Sequence, residues 1–337
     1  MTSTVCVIVL VHRTVAYLDA LFDCLQQQTR LPDEIVVIDD GGIVDVATAV
    51  APWSDKLPIK LIHHETNKGI TQGRRTALQA ATSEFCFQLD SDDALDHDTI
   101  RLMMTAVEEN GADFACCRVR AVLLSGELRK TPDLPNAVYC ASGEDALSSI
   151  GSPDQDPNLR LWMLGAAGGK IFRRTIALQV ADLMDTEHRV YGEDSVYTLM
   201  NFALSGTGVF LTPKLYHYTL RPTSTITFKM TSTQDKYLSD RRDAHDRLYR
   251  FVDSRDPKTT PWIIGISTWL ARQEIEKYSL YFGGTACFEN DFIDKLAQLP
   301  KEERPHFRNA AVLHREMQQR REIRKKFVRL RDKHNQQ

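Results

Sequence analysis

One stretch constrains this chain more than any other: an apolar run that stops abruptly at a cluster of acids. Glu84-Phe85-Cys86-Phe87-Gln88-Leu89 reads as a buried strand, and Asp90-Ser91-Asp92-Asp93 follows at once, with Asp96 and Asp98 close behind. Unpaired carboxylates inside a strand are costly, so the cluster belongs outside the sheet. Open α/β sheets gather their ligands at the carboxyl ends of parallel strands, and the cluster fits there. Two carboxylates one residue apart can share a hard cation such as Mg²⁺ or Mn²⁺, which prefers oxygen ligands and substrate phosphates. An isolated Asp-x-Asp is more often a solvated turn in which Asp93 or Asp96 caps the next helix. The surroundings therefore decide.

Those surroundings alternate strand and helix. Val5–Val11 is continuous and β-branched, as in a strand buried on both faces. Apolar residues then recur at helical spacing from Tyr17 to Gln28, and Glu34–Ile38 forms a second short strand with a polar, glycine-rich exit, Asp39-Asp40-Gly41-Gly42. A short helix over Val44–Ala51, a strand over Ile59–His63, the loop Asn67-Lys68-Gly69 and a helix over Thr71–Ala81 lead into the strand that carries the acids. This alternation predicts βαβ units and a mostly parallel sheet. Beyond it, Thr99–Glu109 is predicted helical and closed by Asn110-Gly111, and Phe114–Leu124 with Glu127–Lys130 forms a hairpin around Ser125-Gly126. Ala141–Ile150 is predicted helical, and Ser152–Asn158 is an exposed Pro/Asp-rich loop. A flexible stretch, Gly165–Lys170, leads into Ile171-Phe172. Gly192-Glu193-Asp194 opens a helix to about Leu204, and Val209–Leu211 and Leu215–Tyr218 are two short closing strands. From Thr233 onward only helical patterns remain.

Bulk composition excludes some partners. The 337 residues carry a net charge of −3, yet Arg315–Lys333 holds nine Lys/Arg against three Asp/Glu, so the rest of the chain is acidic and ill suited to nucleic acid. Seven cysteines, with no Cys-x-x-Cys or Cys/His ligand spacing, point to a reducing, cytosolic setting. The run Val5–Val11 is too short to span a bilayer and has no basic segment before it, so any membrane contact is expected to be peripheral.

Taken in order, the motifs resemble those of the inverting glycosyltransferases of family 2, which have the GT-A fold. The opening Val7-Ile8-Val9-Leu10-Val11-His12, Tyr17-Leu18, Leu25, Gln28-Thr29 and Glu34-Ile35-Val36-Val37-Ile38-Asp39-Asp40-Gly41 looks like that family's nucleotide-binding start. Asn67-x-Gly69, Gly73-Arg74, Ala77, Ala81 and Leu89-Asp90-Ser91-Asp92-Asp93 look like its middle. Gly192-Glu193-Asp194, His217-Tyr218, Arg221-Pro222, Ser224 and Ile226 look like its end. The resemblance spans roughly residues 4–227 and implies a GT-A domain over 1–227 with a helical extension over 228–337.

The resemblance also implies roles. Asp39 would accept a hydrogen bond from the uracil imide, with Asp40 supporting the turn. Val11, Arg13, Asn67, Arg74, Asp90, Ser91, His217 and Arg221 would line the nucleotide-sugar site, with Arg74 near base and phosphates, Asp90 on the ribose, and His217 and Arg221 reaching the diphosphate. Asp92 would hold Mn²⁺ or Mg²⁺ against the leaving diphosphate, with Asp93 behind it or capping the next helix. An inverting displacement needs a base beside the attacking hydroxyl, and Asp194 takes that part, with Glu193 and Lys170 on the acceptor side. The chain departs from the family pattern at His12-Arg13, Gly41-Gly42, Arg74-Arg75 and Gly168-Gly169, none of which removes a carboxylate. The implied activity is sugar transfer from a UDP-sugar to a hydroxyl of a growing glycan or lipid-linked oligosaccharide, in the setting of cell-surface polysaccharide synthesis. Two rivals stand beside it. A sugar nucleotidyltransferase would want a glycine-rich phosphate loop after the first strand, where Val11-His12-Arg13-Thr14-Val15 has no glycine. A non-catalytic glycosyltransferase-like subunit would have no use for Asp39, Asp90, Asp92 and Asp194 together.

At the end of the chain, Leu313, Met317, Ile323, Phe327 and Leu330 share a helix stripe flanked by arginines. Such a helix packs on the acidic body or on a second subunit, or lies on an anionic membrane surface.

Overall fold

The computed structural model describes residues 2–123, 138–143, 167–184 and 192–220, together with a few helical positions between 243 and 254. All of them lie in the compact unit Met1–Trp262. Arg221, the second half of the expected hairpin, the Pro/Asp-rich loop and almost all of the expected extension, including the basic stripe, fall outside the described residues.

The first half of the chain folds as its pattern predicts. Strands β1 (Val5–Val11), β2 (Glu34–Asp39), β3 (Ile59–His63) and β4 (Phe85–Gln88) lie parallel in the order β3-β2-β1-β4. Their connections are helices α1 (Leu18–Gln26), α2 (Val46–Val50, capped by Asp45 and followed by a 3₁₀ turn) and α3 (Gly69–Ala80). Alternate residues of β1 serve the two faces. Val5, Val7, Val9 and Val11 enter a core with Leu18, Leu21, Phe22 and Leu25 of α1, while on the other face Leu10 and Ile38 meet Gly73 of α3. After β4 come the two-residue strand β5 (Ala94–Leu95) and α4 (Thr99–Asn110), which ends where Asn110-Gly111 predicts.

The second half of the sheet is mixed. Strands β6 (Phe114–Leu123), β7 (Val138–Ser142), β8 (Lys170–Arg173) and β9 (Thr207–Leu220) extend it in the order β4-β8-β6-β9-β5, with β7 also on β9. Strand β8 is antiparallel to both β4 and β6, and β6 runs parallel to β9. Three expectations are corrected here. The two short closing strands are one 14-residue strand, because the β6–β9 register shifts beside Arg118 and Thr212-Pro213 are taken up there as a bulge. The helix expected from Ala141 begins as strand, since β7 runs to Ser142. Helix α5 (Arg174–Leu183), not anticipated, follows β8 directly.

Helix α6 (Glu193–Leu204) starts and ends as predicted. It is seated by an aromatic cluster in which Phe114 and Phe202 lie 4.7 Å apart and Phe172 meets Tyr197 edge-on at 6.0 Å. Truncating a fully buried phenylalanine such as Phe202 costs roughly 3–5 kcal/mol, so the seat is firm. Its consequence is positional: the first turn of α6 is held over the carboxyl end of β4.

Candidate active site

Two acidic turns leave adjacent parts of the sheet. The first follows β2. The Asp40 backbone N–H donates to the Val11 carbonyl at 2.8 Å, locking the ends of β1 and β2 together. The Asp40 carboxylate accepts from His64 Nδ1 at 2.7 Å and from the backbone N–H groups of Lys68 and Gly69 at 3.0 and 2.9 Å. Asn67 Oδ1 accepts from Gly69 as well, at 2.8 Å, and its amide lies 2.9 Å from His12 Nε2. Gly41 has φ 64°, and a Cβ there would collide with the backbone of Thr66 and Asn67, so only glycine lets the two loops approach. Asp40 thus works as a strut between the two loops. Asp39 is different: Oδ2 accepts from His63 Nδ1 at 2.7 Å, while Oδ1 is shielded from solvent with no hydrogen-bond partner. Arg13 is exposed just beyond β1.

The second turn follows β4. Asp93 is buried and ties the turn to β9, accepting from the Tyr216 hydroxyl at 2.6 Å and from the Thr219 N–H at 2.9 Å. The same hydroxyl accepts from the Asp90 N–H at 3.3 Å. Asp93 therefore stands behind the turn, and Asp90, Ser91 and Asp92 are left towards solvent. The Asp90 side chain is exposed, yet enough protein surrounds it for desolvation to push its carboxyl well above the usual range, reinforced by the charges of Asp93, Asp194 and Asp92.

Gly192, with φ 84°, makes the left-handed turn that starts α6, and Glu193 and Asp194 occupy its first turn, where the helix dipole favours negative charge. The placement of Arg74 corrects the expectation that it serves base and phosphates. It is 2% exposed, stacks 4.4 Å over Tyr197, and donates to Gln88 Oε1 at 2.8 Å, Glu193 Oε2 at 2.6 Å and Asp194 Oδ1 at 3.2 Å. A planar guanidinium can serve three acceptors on two elements at once, which turns Arg74 into a clamp between β4 and α6. The neighbouring Arg75 caps α5, donating to the Ala181 and Met184 carbonyls.

The acid pair titrates as a unit. Burial, opposed by Arg74 and reinforced by the Asp194 charge, holds the Glu193 carboxyl well above the usual range. Partial burial acts to raise Asp194 too, but hydrogen bonds from Glu193 and Arg74 and the charges of Arg74 and Lys170 outweigh it and hold Asp194 below the ordinary value. Asp194 is 40% exposed, so the pair presents a solvent-facing carboxylate backed by a buried acid that is held on Arg74. Lys170, at the start of β8, is buried; desolvation lowers its pKa, against the pull of Cys116, Cys117 and Asp194. Its Nζ donates to the Gly168 carbonyl at 3.4 Å, and its charge is felt at Asp194.

The structure thus brings Asp90, Asp92, Asp93, Glu193, Asp194, Arg74 and Lys170 together, and groups Val11, Asp39, Asp40 and Asn67 separately at the ends of β1 and β2. His217 is turned elsewhere, its Nε2 lying 3.3 Å from Asp96 Oδ1. Sequence reasoning missed Tyr216, Gln88 and His63. Nothing in the local pattern around Tyr216 or Gln88 marks them, but the adjacent His63-His64 at a strand end, facing Asp39-Asp40, was a readable signal.

Among the described residues no group of three or more His, Cys, Asp or Glu side chains is placed to hold a metal ion. The carboxylates of Asp90 and Asp92 are the oxygen donors that a hard cation prefers, and such a cation would draw most of its shell from phosphate and water.

A mostly parallel sheet flanked by helices, with two acidic turns at its strand ends, is an α/β domain of the GT-A class. Comparison with known proteins agrees: the profile of Glycosyl transferase family 2 matches residues 6–176, just over half of the chain, and the chain belongs to that family. It is 24% identical over 215 residues to the poly(ribitol-phosphate) β-N-acetylglucosaminyltransferase TarS of Staphylococcus aureus (strain MW2), covering 63% of this chain and 35% of TarS. To the cholesterol galactosyltransferase of Borreliella burgdorferi it is 23% identical over 146 residues, 43% of this chain and 41% of the relative. The chain thus spans well under half the length of these curated relatives. The crystal structure of S. aureus TarS 1-349 in complex with UDP-GlcNAc superposes with a TM-score of 0.60 at 19% identity, covering 91% of this chain and 79% of that one, a likeness of fold. No helix among the described residues is long and apolar enough to cross a membrane.

Proposed function

We propose that this chain transfers a sugar from a UDP-sugar to a hydroxyl of a glycan or lipid-linked acceptor, by single displacement with inversion at the anomeric carbon. The observation that carries the reading is Asp194. It is a solvent-facing carboxylate, aimed by a buried arginine and held below its ordinary pKa, on the element that overhangs the Asp90–Asp92 turn. Family membership and the names of the relatives, which include an N-acetylglucosaminyltransferase and a galactosyltransferase, support sugar transfer.

In this reading Asp194 accepts the proton of the attacking hydroxyl as the new bond to the anomeric carbon forms. Glu193 lies behind it, paired with Arg74, and Lys170 adds a positive charge on the acceptor side. Asp39 offers its unpaired Oδ1 to the base, and Asp90 takes the ribose hydroxyls. A divalent cation, Mn²⁺ or Mg²⁺, held by Asp92 would neutralise the charge on the leaving diphosphate.

The test is incubation of the purified protein with a panel of nucleotide sugars and Mn²⁺, with and without EDTA, following release of free nucleoside diphosphate. Slow, metal-dependent UDP release from one donor is the expected result. Absence of both release and donor binding across the panel would overturn the reading.

A further inference from the structure

The feature that the proposed chemistry leaves unused is His63. It ends the edge strand β3 directly opposite Asp39 in the β2–β3 register, its side chain is 61% exposed, and its Nδ1 lies 2.7 Å from Asp39 Oδ2. Asp39 itself is nine-tenths buried, at 10% exposure, and its other oxygen has no partner. A buried acceptor without a donor is costly, and a native fold keeps one only where something else repays it. The carboxylate is thus divided: one oxygen is occupied by the protein, and one is reserved below the surface for a donor that must enter the site.

We propose that His63 is a specificity-determining residue that makes Asp39 a one-oxygen acceptor and so selects an imide base over guanine. This rests on the reading of Asp39 as the base-binding carboxylate. The chemistry is a matter of counting donors. Uracil and thymine present one ring N–H flanked by two carbonyl oxygens. Guanine presents two adjacent donors, the ring N–H and the exocyclic amine, which a carboxylate with both oxygens free can accept as a fork. With its proton on Nδ1, His63 donates to Oδ2 and removes half of that fork. The remaining oxygen matches a single N–H, and the donated hydrogen bond draws charge from the oxygen that would otherwise face a base carbonyl. Guanine would leave one of its two donors unpaired in a desolvated site, and such mismatches discriminate strongly. The ligand class is therefore a uridine or thymidine diphosphate sugar.

The test is calorimetric titration of UDP and of GDP, in Mn²⁺ buffer, into the wild type and into His63→Ala, His63→Asn and Asp39→Asn. His63 is largely exposed at a strand end, so its replacement leaves the core untouched. The wild type should prefer UDP over GDP by about tenfold or more, the size of one charge-assisted hydrogen bond. His63→Ala should narrow that ratio about tenfold, and His63→Asn, whose amide can donate where Nδ1 did, should restore most of it. Asp39→Asn should weaken UDP binding whatever His63 does. A wild type that binds UDP, with an unchanged ratio in His63→Ala or a preference for GDP, overturns the inference and leaves the donor-site reading standing. A wild type that binds neither nucleotide, or an Asp39→Asn protein that binds UDP normally, sinks the donor-site reading and the inference with it.

Discussion

The two acidic turns resemble each other in sequence and differ in electrostatics. Asp39-Asp40 and Asp90-Ser91-Asp92-Asp93 both follow a buried strand of the same parallel sheet. At the first turn the protein supplies its own donors: Asp40 is answered by His64 and two backbone N–H groups, and one oxygen of Asp39 by His63. At the second, Asp93 is anchored through Tyr216 and Thr219, and burial together with the charges of the neighbouring carboxylates holds Asp90 well above the usual range. A carboxylate satisfied from within, such as Asp40, is a piece of scaffold. On the proposed reading the second turn would take a cation together with the diphosphate, and Asp39 would take the base. Substitution of Asp40 should therefore cost stability, and substitution of Asp39 or of the second turn should cost function.

The largest effects are expected at the second turn and its overhanging base. Asp194→Asn should lower turnover by about 10²–10⁴-fold, the usual worth of a general base, with a melting temperature close to wild type because the side chain is 40% exposed. Because Asp194 lies below its ordinary pKa, the acid limb of the wild-type pH–rate profile should fall beneath the usual carboxylate value, about 3.9, and a limb well above it would remove Asp194 from the role. Asp92→Ala should abolish the response of turnover to Mn²⁺.

Next comes the clamp between the two sides of the site. Arg74→Met strands the buried Glu193 without its charge partner, and breaking such a pair costs about 3–5 kcal/mol, readable by urea denaturation. Adding Glu193→Gln should recover a good part of that loss. Asp40→Ala comes after it: the N–H groups of Lys68 and Gly69 and the His64 ring lose their acceptor, for about 1–3 kcal/mol, and neither UDP nor Mn²⁺ should change that cost.

The smallest effect is expected at a carboxylate with neither duty. Asp45 caps α2 through Thr48, whose hydrogen bonds lower its pKa below the ordinary 3.8. Its contribution is present above that value and lost as pH falls through the lowered one. Asp45→Ala should therefore melt slightly below wild type at pH 7 and together with it in strong acid.

What the sequence disclosed follows the same division. Strand ends were legible because a β-branched run that meets a cluster of acids cannot continue inside a sheet, so β1 to β4 and both turns stand where the pattern put them. Helix α6 was legible from Gly192 and the acids behind it. Strand β9 was misread because Pro213 signals a break when viewed locally, and only the partner strand reveals that the break is a bulge. Helix α5 was missed because its buried stripe, Ala177, Val180 and Ala181, is short and built of small residues. The placement of Arg74 was out of reach for a stronger reason: its bond to Glu193 joins residues 119 positions apart. No spacing rule distinguishes a helix arginine that meets phosphate from one that clamps a base.

The most direct test of the central claim, that the second turn is completed by metal and diphosphate together, is a titration of Mn²⁺ into the protein with and without saturating UDP. The account expects weak Mn²⁺ binding alone, about tenfold or greater tightening by UDP, and the loss of that coupling in Asp92→Ala. Tight Mn²⁺ binding without nucleotide, or UDP binding indifferent to Mn²⁺, would contradict it.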